Sequence, residues 1–479
     1  MADRYVGSFT ADLEDEDGRR LATLLWGDPV HVLAASGSRT QVLARGWSGW
    51  VATSDLSEES LLEIYVIDVG QGDGVLVKTP AGKWFMVDAG RPAGEQMTKK
   101  GAANFVRWKF IRDLRLDAVA LDFVVLSHPD RDHYGGFIDV LGGRLFDGST
   151  FDVEVGTLYH SGMGRFGGSP QLGETETGEV DEFPQGFRGI QRAGTFHTEL
   201  LSDRDSFSDP PRPFQGDFAE YAALVAEVPG RVQRVTHRDE YLPGYGPGDG
   251  ELTIRVLGPI LERFDGRDGL RRLEGDDAKT LNGHSVVLRL DYGAARLLLT
   301  GDLNAKSQQL LLSYQPDEEF AVDVAKACHH GAEDVHLDFL AAMQPRATVV
   351  SSGDNEDYSH PRPVVMGASG RYGREGVAPD GDRVPPLVYS TELARSVKLA
   401  YATSVRLEES NETADPEDVE VMVPREPARY DPLERTPLSS DLVYGLVNVR
   451  TDGRSILCAT LEEKGNDFDV KVITAGAGP

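Results

Sequence analysis

Short alternating runs separated by turn residues open the chain. Residues 1–57, with "PVHVLAASGSRTQVLARGWSGWVATSDL" as their clearest part, predict a small all-β unit. From Leu61 the pattern changes. "LEIYVIDVGQGDGVLVKTPAGKWFMVDAG" predicts three consecutive strands, "EIYVIDV", "DGVLVKT" and "KWFMVDA", joined by glycine turns. "KKGAANFVRWKFIRDLR", from Lys99 to Arg115, has the spacing of an amphipathic helix with Phe105, Trp108, Ile111 and Leu114 turned inward. "LDFVVL" then reads as a buried strand leading into "SHPDRDHYGG". The stretch from 137 to about 250 is rich in Gly, Asp, Glu and Pro, and reads as an insertion containing "GTLYHSG" and one helix, "DFAEYAALVAEV". Three buried-type strands follow, "ELTIRVLGP", "HSVVLRLDY" and "ARLLLTGD". After them come a helix, "AKSQQLLLSY", the segment "VDVAKACHHG", a helix "LDFLAAMQP" and a strand "RATVVSSG". Residues 403–440 read as an acidic, proline-bearing surface insertion, and the chain ends in closing strands.

Composition sets limits on this picture. At 479 residues, with 40% hydrophobic and 27% charged residues, the chain has room for more than one globular domain. No segment approaches the ~18–20 apolar residues of a membrane span. "MADRYVGSFTADLEDEDGRR" lacks the basic head and apolar stretch of a secretory signal, so a cytoplasmic location without membrane attachment is expected. Cys328 and Cys458, the only cysteines, lie far apart, which excludes a disulfide framework and fits a reducing compartment.

A net charge of −29 argues against a broad nucleic-acid-binding face. One basic strip stands out against it: Lys99, Lys100, Arg107, Lys109, Arg112 and Arg115, interrupted by a single acid. Lys99, Lys100, Arg107 and Lys109 are the candidates for phosphate-backbone contact; the alternative is an ordinary solvated helix face.

Candidate chemistry concentrates in "SHPDRDHYGG". It puts two histidines and two aspartates within six positions, in a chain with only 11 His. Side chains at the C-terminal end of a buried strand, just before a glycine turn, sit where open α/β sheets place their chemistry.

"DVGQGD", "VDAG", "SHPDRDHYGG", "TLNGHSVVLRL", "LLLTGD", "KACHHG" and "VVSSGDNEDYSHP" occur in that order. Together they resemble the metallo-β-lactamase-fold hydrolase domain of the ComEC/Rec2 competence-protein type. The resemblance implies an α+β fold, a four-layer αββα sandwich with a dinuclear site at one edge of its sheets. "GWSGWVATSDL" resembles the end of a bacterial SH3-like domain, which gives an expected division into residues 1–57 and 58–479. An extra edge hairpin of the main domain is the alternative.

What the resemblance implies about the site can be stated residue by residue. His128, Asp130 and a later histidine, His160 in chain order, would hold one divalent ion. Asp132, His133 and a histidine of "HHG" would hold the second, with Asp302 bridging. Asp132 is also counted among the catalytic groups. His330 is favoured as the ligand, and His329 is placed near the substrate. His360 would contact phosphate or protonate the leaving oxygen. Asn282 and Ser285 would line the pocket. Asp68, Asp73 and Asp88 are candidates for orienting the imidazoles, with turn chemistry as the alternative. His31, His197, His237 and His336 are expected at the surface. Asp130 stands where the common pattern has histidine, which makes Mn²⁺ a rival to Zn²⁺.

A pair of divalent ions sharing a hydroxide would make a nucleophile near neutral pH. The function expected is therefore a metal-dependent phosphodiesterase, a nuclease cleaving DNA. A small-ester hydrolase of phosphorylcholine esterase or lactonase type is the enzymatic alternative, and a non-catalytic binding protein on the same fold the other. The N-terminal unit is expected to contact a protein partner or to pack on the main domain.

Overall fold

The computed structural model describes residues 4–96, 99–182, 188–353, 360–392, 445–461 and 467–476, with four short strand segments between 405 and 432. The apolar runs that read as strands build two facing sheets. Leu62–Val66, Gly74–Lys78 and Trp84–Ala89 form an antiparallel meander, with Val66 opposite Val75 and Trp84 opposite Lys78. Val119–Leu126 joins it in parallel, Phe123 beside Phe85. Val153–His160 and Arg231–Arg234 extend that edge, also in parallel. At the other edge Val447–Thr451 pairs with Leu62–Val66, followed outward by Ser455–Leu461 and Phe468–Thr474. The result is a nine-stranded sheet. The second sheet has six strands, in the order Leu252–Gly258, Val287–Tyr292, Ala295–Leu299, Val324–Lys326, Ala347–Val350 and Leu387–Ser390.

Three apolar layers hold these sheets. Between them, Ile64, Val75 and Phe123 meet Ile254, Leu288 and Leu297. On the outer face of the first sheet, Ala102–Arg107, Arg131–Leu141 and Gly216–Glu227 bury Val106, Phe137 and Tyr221. On the outer face of the second, Ala305–Tyr314 and Leu337–Met343 bury Leu310, Leu311 and Phe339. The order helix, sheet, sheet, helix is the four-layer sandwich expected.

Two expectations need correction. The stretch 137–250 is not simply an insertion. It supplies Val153–His160 and Arg231–Arg234 to the nine-stranded sheet, and Gly216–Glu227 to its helical cover. Its polar composition reflects the loops between these elements, which hid the strands. The basic strip is not one amphipathic helix either. Ala102–Arg107 passes into a π-helical turn, Trp108–Asp113, whose wider repeat shifts the register. Trp108 is turned outward, 40% exposed, and Lys109 inward, 2% exposed. Lys109 Nζ is paired with Asp113 Oδ2 at 2.7 Å, so it is no candidate for a phosphate contact. Lys99, Lys100, Arg107, Arg112 and Arg115 keep at least partial exposure. The insertion expected at 403–440 lies outside the described residues apart from its short strand segments.

Residues 4–57 form their own seven-stranded antiparallel sheet around Val6, Leu13, Leu24, Val30, Val42 and Val51. It joins the main body through Leu25 and Trp26, which pack on Leu61, Leu457 and Ala459. A buried ion pair reinforces the junction. Arg450 Nη1 lies 2.8 Å from Asp28 Oδ1 and donates to the Trp26 carbonyl at 2.7 Å, while Arg45 Nη2 lies 2.8 Å from Asp28 Oδ2.

Candidate metal centre at the sheet edge

The strand Val119–Leu126 ends at the edge of the sandwich and delivers Ser127 and His128 there. Asp130 caps the helix Arg131–Leu141 by accepting from the Arg131 N–H at 2.8 Å. The first turn of that helix therefore points Asp132 and His133 back at the edge. The loop after Leu62–Val66 closes over this turn, and Asp73 N–H donates to the Asp132 carbonyl at 3.3 Å. Gly72 makes the closure possible: φ is +116°, and a Cβ there would lie 2.0 Å from the Asp132 carbonyl oxygen. From the second sheet, Ala295–Leu299 leads to Asp302, and Val324–Lys326 leads to His329 and His330. Both histidines are left-handed, with φ of 47° and 54°. Such backbone costs ~1–3 kcal/mol per residue and persists where the surroundings over-determine it.

These side chains converge. Asp302 Oδ2 lies 3.0 Å from His330 Nε2 and 3.2 Å from His133 Nε2. His330 Nε2 is also 3.6 Å from Asp132 Oδ2. The His128 and His133 rings stand 4.1 Å apart, centre to centre. His128, His133 and Asp302 offer ligand atoms within 4.8 Å of one another; so do Asp132, His133 and His330, and Asp73, Asp302 and His330.

The far side of each imidazole is fixed. His133 Nδ1 faces Asp88 Oδ2 at 2.9 Å, and Asp88 Oδ1 accepts from Ser127 N–H at 2.8 Å. His330 Nδ1 faces the Ser351 carbonyl at 3.1 Å and Asp73 Oδ1 at 3.2 Å. His128 Nδ1 faces the hydroxyls of Ser127 at 3.1 Å and Ser285 at 3.2 Å. With Nδ1 engaged, Nε2 of His128, His133 and His330 is buried without a hydrogen-bond partner. Buried polar atoms are nearly always satisfied. Nitrogens held from behind and aimed at shared carboxylates are the arrangement that metal-binding imidazoles adopt. The residues fit a pair of divalent ions.

Electrostatics point the same way. Burial opposes charge on Asp302, yet His133, His330 and His329 hold its carboxyl well below the usual range. Burial likewise opposes charge on His330, but Asp302 and Asp73 push it up to about 10. The carboxylates thus demand positive charge at this spot. His128 is pushed down to about 3 by burial and by neighbouring His133, which leaves a neutral imidazole.

The other expected residues are less central. Asp130 turns its carboxylate to Arg165 Nη1 at 3.0 Å. His160 ends its strand, buried; its Nδ1 accepts from Gly162 N–H at 3.1 Å and its Nε2 has no hydrogen-bond partner. Neither residue falls within the three-ligand groups. Ser285, expected in the pocket, is fully buried, and its hydroxyl also accepts from Asp302 N–H at 3.0 Å. Its hydroxyl thus stands between His128 Nδ1 and the Asp302 backbone. Asn282 Nδ2 approaches His329 Nε2 at 3.4 Å. His329 and His360 flank the cluster, their rings 5.8 Å apart. Asp68 is exposed, and its carboxylate accepts from Gly70 N–H at 3.2 Å, a turn contact. His197, expected at the surface, is 2% exposed.

Sequence reasoning missed two side chains at the centre. Lys326 is buried, ion-paired with Asp73, and its Nζ lies 3.6 Å from Asp302 Oδ1. Its signal was a lysine inside the apolar run before "CHHG". Gln71 Nε2 donates to Asp132 Oδ2 at 3.2 Å.

Residues 67–144 match the metallo-beta-lactamase superfamily model. The chain is 30% identical over 110 residues to ComE operon protein 3 of Bacillus subtilis, covering 23% of this chain and 14% of that protein. It is 37% identical over 86 residues to competence protein ComA of Neisseria gonorrhoeae, covering 18% and 12%. It is 32% identical over 92 residues to recombination protein 2 of Haemophilus influenzae, covering 19% and 11%. The chain therefore spans only a small part of these relatives. Among solved structures, Tm1679, a metal-dependent hydrolase of the beta-lactamase superfamily, aligns at 12% identity and a TM-score of 0.33, over 69% of this chain and 96% of that one. CmlA, a diiron beta-hydroxylase from Streptomyces venezuelae, aligns at 13% and 0.29, over 67% and 52%. No helix among the described residues is long and apolar enough to cross a membrane. The four layers, the cluster of histidines and carboxylates at their edge and the match over 67–144 identify a metallo-β-lactamase fold in this chain.

Proposed function

We propose that this chain is a metal-dependent phosphodiesterase that cleaves DNA. The observation that carries the reading is the convergence of His133 Nε2 and His330 Nε2 on one oxygen of Asp302, at 3.2 and 3.0 Å. His128 and Asp302 would serve one ion, Asp132, His133 and His330 the other, with Asp302 shared. His160, with its unpartnered Nε2, and Asp130 are further candidates on the first ion's side. Two divalent ions there, Zn²⁺ or Mn²⁺, would supply a nucleophilic water near neutral pH and offset charge at phosphorus.

The remaining steps fall to the chain's own groups. His329, with its side chain 30% exposed, and His360 beside it would contact phosphate oxygens and pass a proton to the leaving oxygen. Asn282 would hold the His329 ring. Lys99, Lys100, Arg107 and Arg112 would meet the polynucleotide backbone. The names of the competence and recombination relatives support a DNA substrate. Residues 1–57 would form an SH3-like unit that docks a protein partner.

The test is hydrolysis by the purified chain, with Mn²⁺ or Zn²⁺, of single-stranded DNA, duplex DNA, RNA and a chromogenic phosphodiester. Cleavage of a polynucleotide and of the small diester is expected. Turnover of lactones or phosphorylcholine esters alone would replace this reading with the small-ester hydrolase.

A further inference from the structure

Two arginines at the edge of the sandwich have no counter-charge. Arg234 and Arg362 are both half-buried, and neither makes an ion pair or a side-chain hydrogen bond among the described residues. None of their nitrogens is sealed from solvent. Carboxylates are plentiful, with 78 acids against 49 bases in the chain. Other arginines of this edge have found theirs: Arg165 Nη1 lies 3.0 Å from Asp130 Oδ1, and Arg131 Nε donates to Glu95 Oε1 at 3.0 Å.

Their positions bracket the metal centre. Arg231–Arg234 pairs in parallel with Val153–His160, and Arg234 is directly beside His160, so the two side chains stand on one face of the sheet. The loop after His160 crosses the arginine's stem. Gly162 has φ of +95°, and a Cβ there would lie 2.4 Å from Arg234 Cδ. The same loop sends Arg165 to Asp130. On the second sheet, Arg362 N–H donates to the Gly331 carbonyl at 2.9 Å, which fixes it beside the turn that carries His329 and His330. The strand order places the cluster between the two arginines. In the first sheet Arg231–Arg234, Val153–His160 and Val119–Leu126 follow one another toward Leu62–Val66. The second sheet lies over it so that Ser285 meets His128. Further along, a Cβ on Gly353, just after Ala347–Val350, would lie 2.1 Å from the Gln71 nitrogen, just after Leu62–Val66. Arg234 is therefore beyond His128 on one side, and Arg362 beyond His330 on the other.

The charge of Arg234 is not offset from within. Burial holds its guanidinium below the usual range. The carboxylates it senses are turned elsewhere: Asp203 to Ser206 N–H at 3.2 Å, Asp239 to Thr236 N–H at 2.8 Å and Asp268 to Arg238 Nη1 at 2.9 Å. A cation taken partly out of water without a partner opposes folding. An anion from outside the chain would supply the missing partner.

We infer that Arg234 and Arg362 hold the phosphates on either side of the scissile one, so that the site takes an internal position of a polynucleotide strand. The inference rests on the phosphodiesterase reading and adds how the substrate is held. A guanidinium fork matches two oxygens of one phosphate. The strand of Arg234 is two strand spacings, about 10 Å, from that of His128, too far for a single phosphate to meet both the arginine and the metals. A small ester would leave both arginines bare. An extended polyanion running across the cluster meets both.

The test uses the full chain loaded with Mn²⁺ and a short fluorescent single strand with a phosphorothioate backbone, which keeps its charge and resists hydrolysis. Saturable binding by the wild type is expected. Arg234→Gln and Arg362→Gln should each weaken it by roughly 10- to 100-fold, the usual weight of a hydrogen bond to a charged group, and make its salt dependence shallower by ~0.7 log units. Arg231→Gln and Arg371→Gln each remove an exposed arginine from the same two elements and should bind like the wild type. Arg234→Gln should melt no lower than the wild type, because its charge is unpaired in the folded chain; an arginine with a structural role would lower the melting temperature. No saturable binding by the wild type, or equal losses in all four variants, would overturn the clamp. Cleavage is read separately, on an unmodified linear strand and on a closed single-stranded circle. Cutting of the circle is expected, and cutting of the linear strand alone would overturn the internal position. Absence of any cleavage would contradict the phosphodiesterase reading, while the binding measurements still decide whether the two arginines hold a strand.

Discussion

Asp302 Oδ2 lies 3.0 Å from His330 Nε2, and the other oxygen of the same carboxylate lies 3.6 Å from Lys326 Nζ. The carboxylate is therefore divided: one oxygen is turned to the imidazoles, the other to a buried ammonium group. A neutral amide keeps one acceptor oxygen, so it could meet only one of these demands and without charge. Asp302→Asn should lower turnover of any substrate by at least ~10³-fold while leaving the melting temperature within a few degrees. Turnover near that of the wild type, with metal added back, would show that the shared ligand lies elsewhere.

Asp88 touches no substrate-facing atom but holds His133 Nδ1 at 2.9 Å. Removing such a support typically costs ~10–100-fold in metal affinity. Asp88→Ala should show that loss in a competitive chelator titration, with ligands otherwise intact. Unchanged affinity would mean that the His133 ring is oriented by its packing alone.

The basic strip can be tested without its buried member. Replacing Lys99, Lys100, Arg107 and Arg112 by Gln should weaken DNA binding and make its salt dependence shallower by ~0.7–0.9 log units per lost contact. Hydrolysis of a small chromogenic diester should stay the same. Lys109→Gln is a contrasting case: it leaves Asp113 buried without its cation and should cost ~3–5 kcal/mol of stability. A salt slope identical to that of the wild type in the quadruple variant would make the strip an ordinary solvated surface.

Asp28 at the junction gives a pH prediction. Burial opposes its charge, but Arg45 and Arg450 outweigh that and hold its carboxyl below the usual range. A depressed folded-state pKa stabilises above the unfolded value and is lost as pH falls through the folded one. Asp28→Asn should therefore lower the melting temperature by a constant amount between about pH 5 and 8, and the gap to wild type should narrow only below about pH 4. A gap that widens in acid would contradict the assignment of the charge to Asp28.

Much of this was legible in the sequence because the signals were local. Runs such as "LDFVVL" and "ARLLLTGD" are short and apolar and read as buried strands, and the metal-grade residues follow them directly. His160 was placed by chain order, and the structure sets it at the end of its strand but outside the compact groups. Lys326 was not read as part of the site, since only the pairing of Val324–Lys326 with Ala295–Leu299 brings its ammonium group beside Asp73 and Asp302. Lys109 was misread for a related reason. A π-helical turn breaks the 3.6-residue periodicity on which the inward and outward assignment rested. The strand Val153–His160 was half hidden because in its first half Glu154 and Gly156 alternate with the valines, and pairing on both sides was needed to fix it.

The most direct test is metal content. Elemental analysis of protein purified without chelator, then reconstituted with Mn²⁺ or Zn²⁺, should find about two equivalents per chain. His133→Ala and His330→Ala should each reduce that number, and activity should follow occupancy. A chain that hydrolyses its substrate at full rate after exhaustive chelation, or that binds no divalent ion when folded, would contradict the assignment of this cluster as a metal centre.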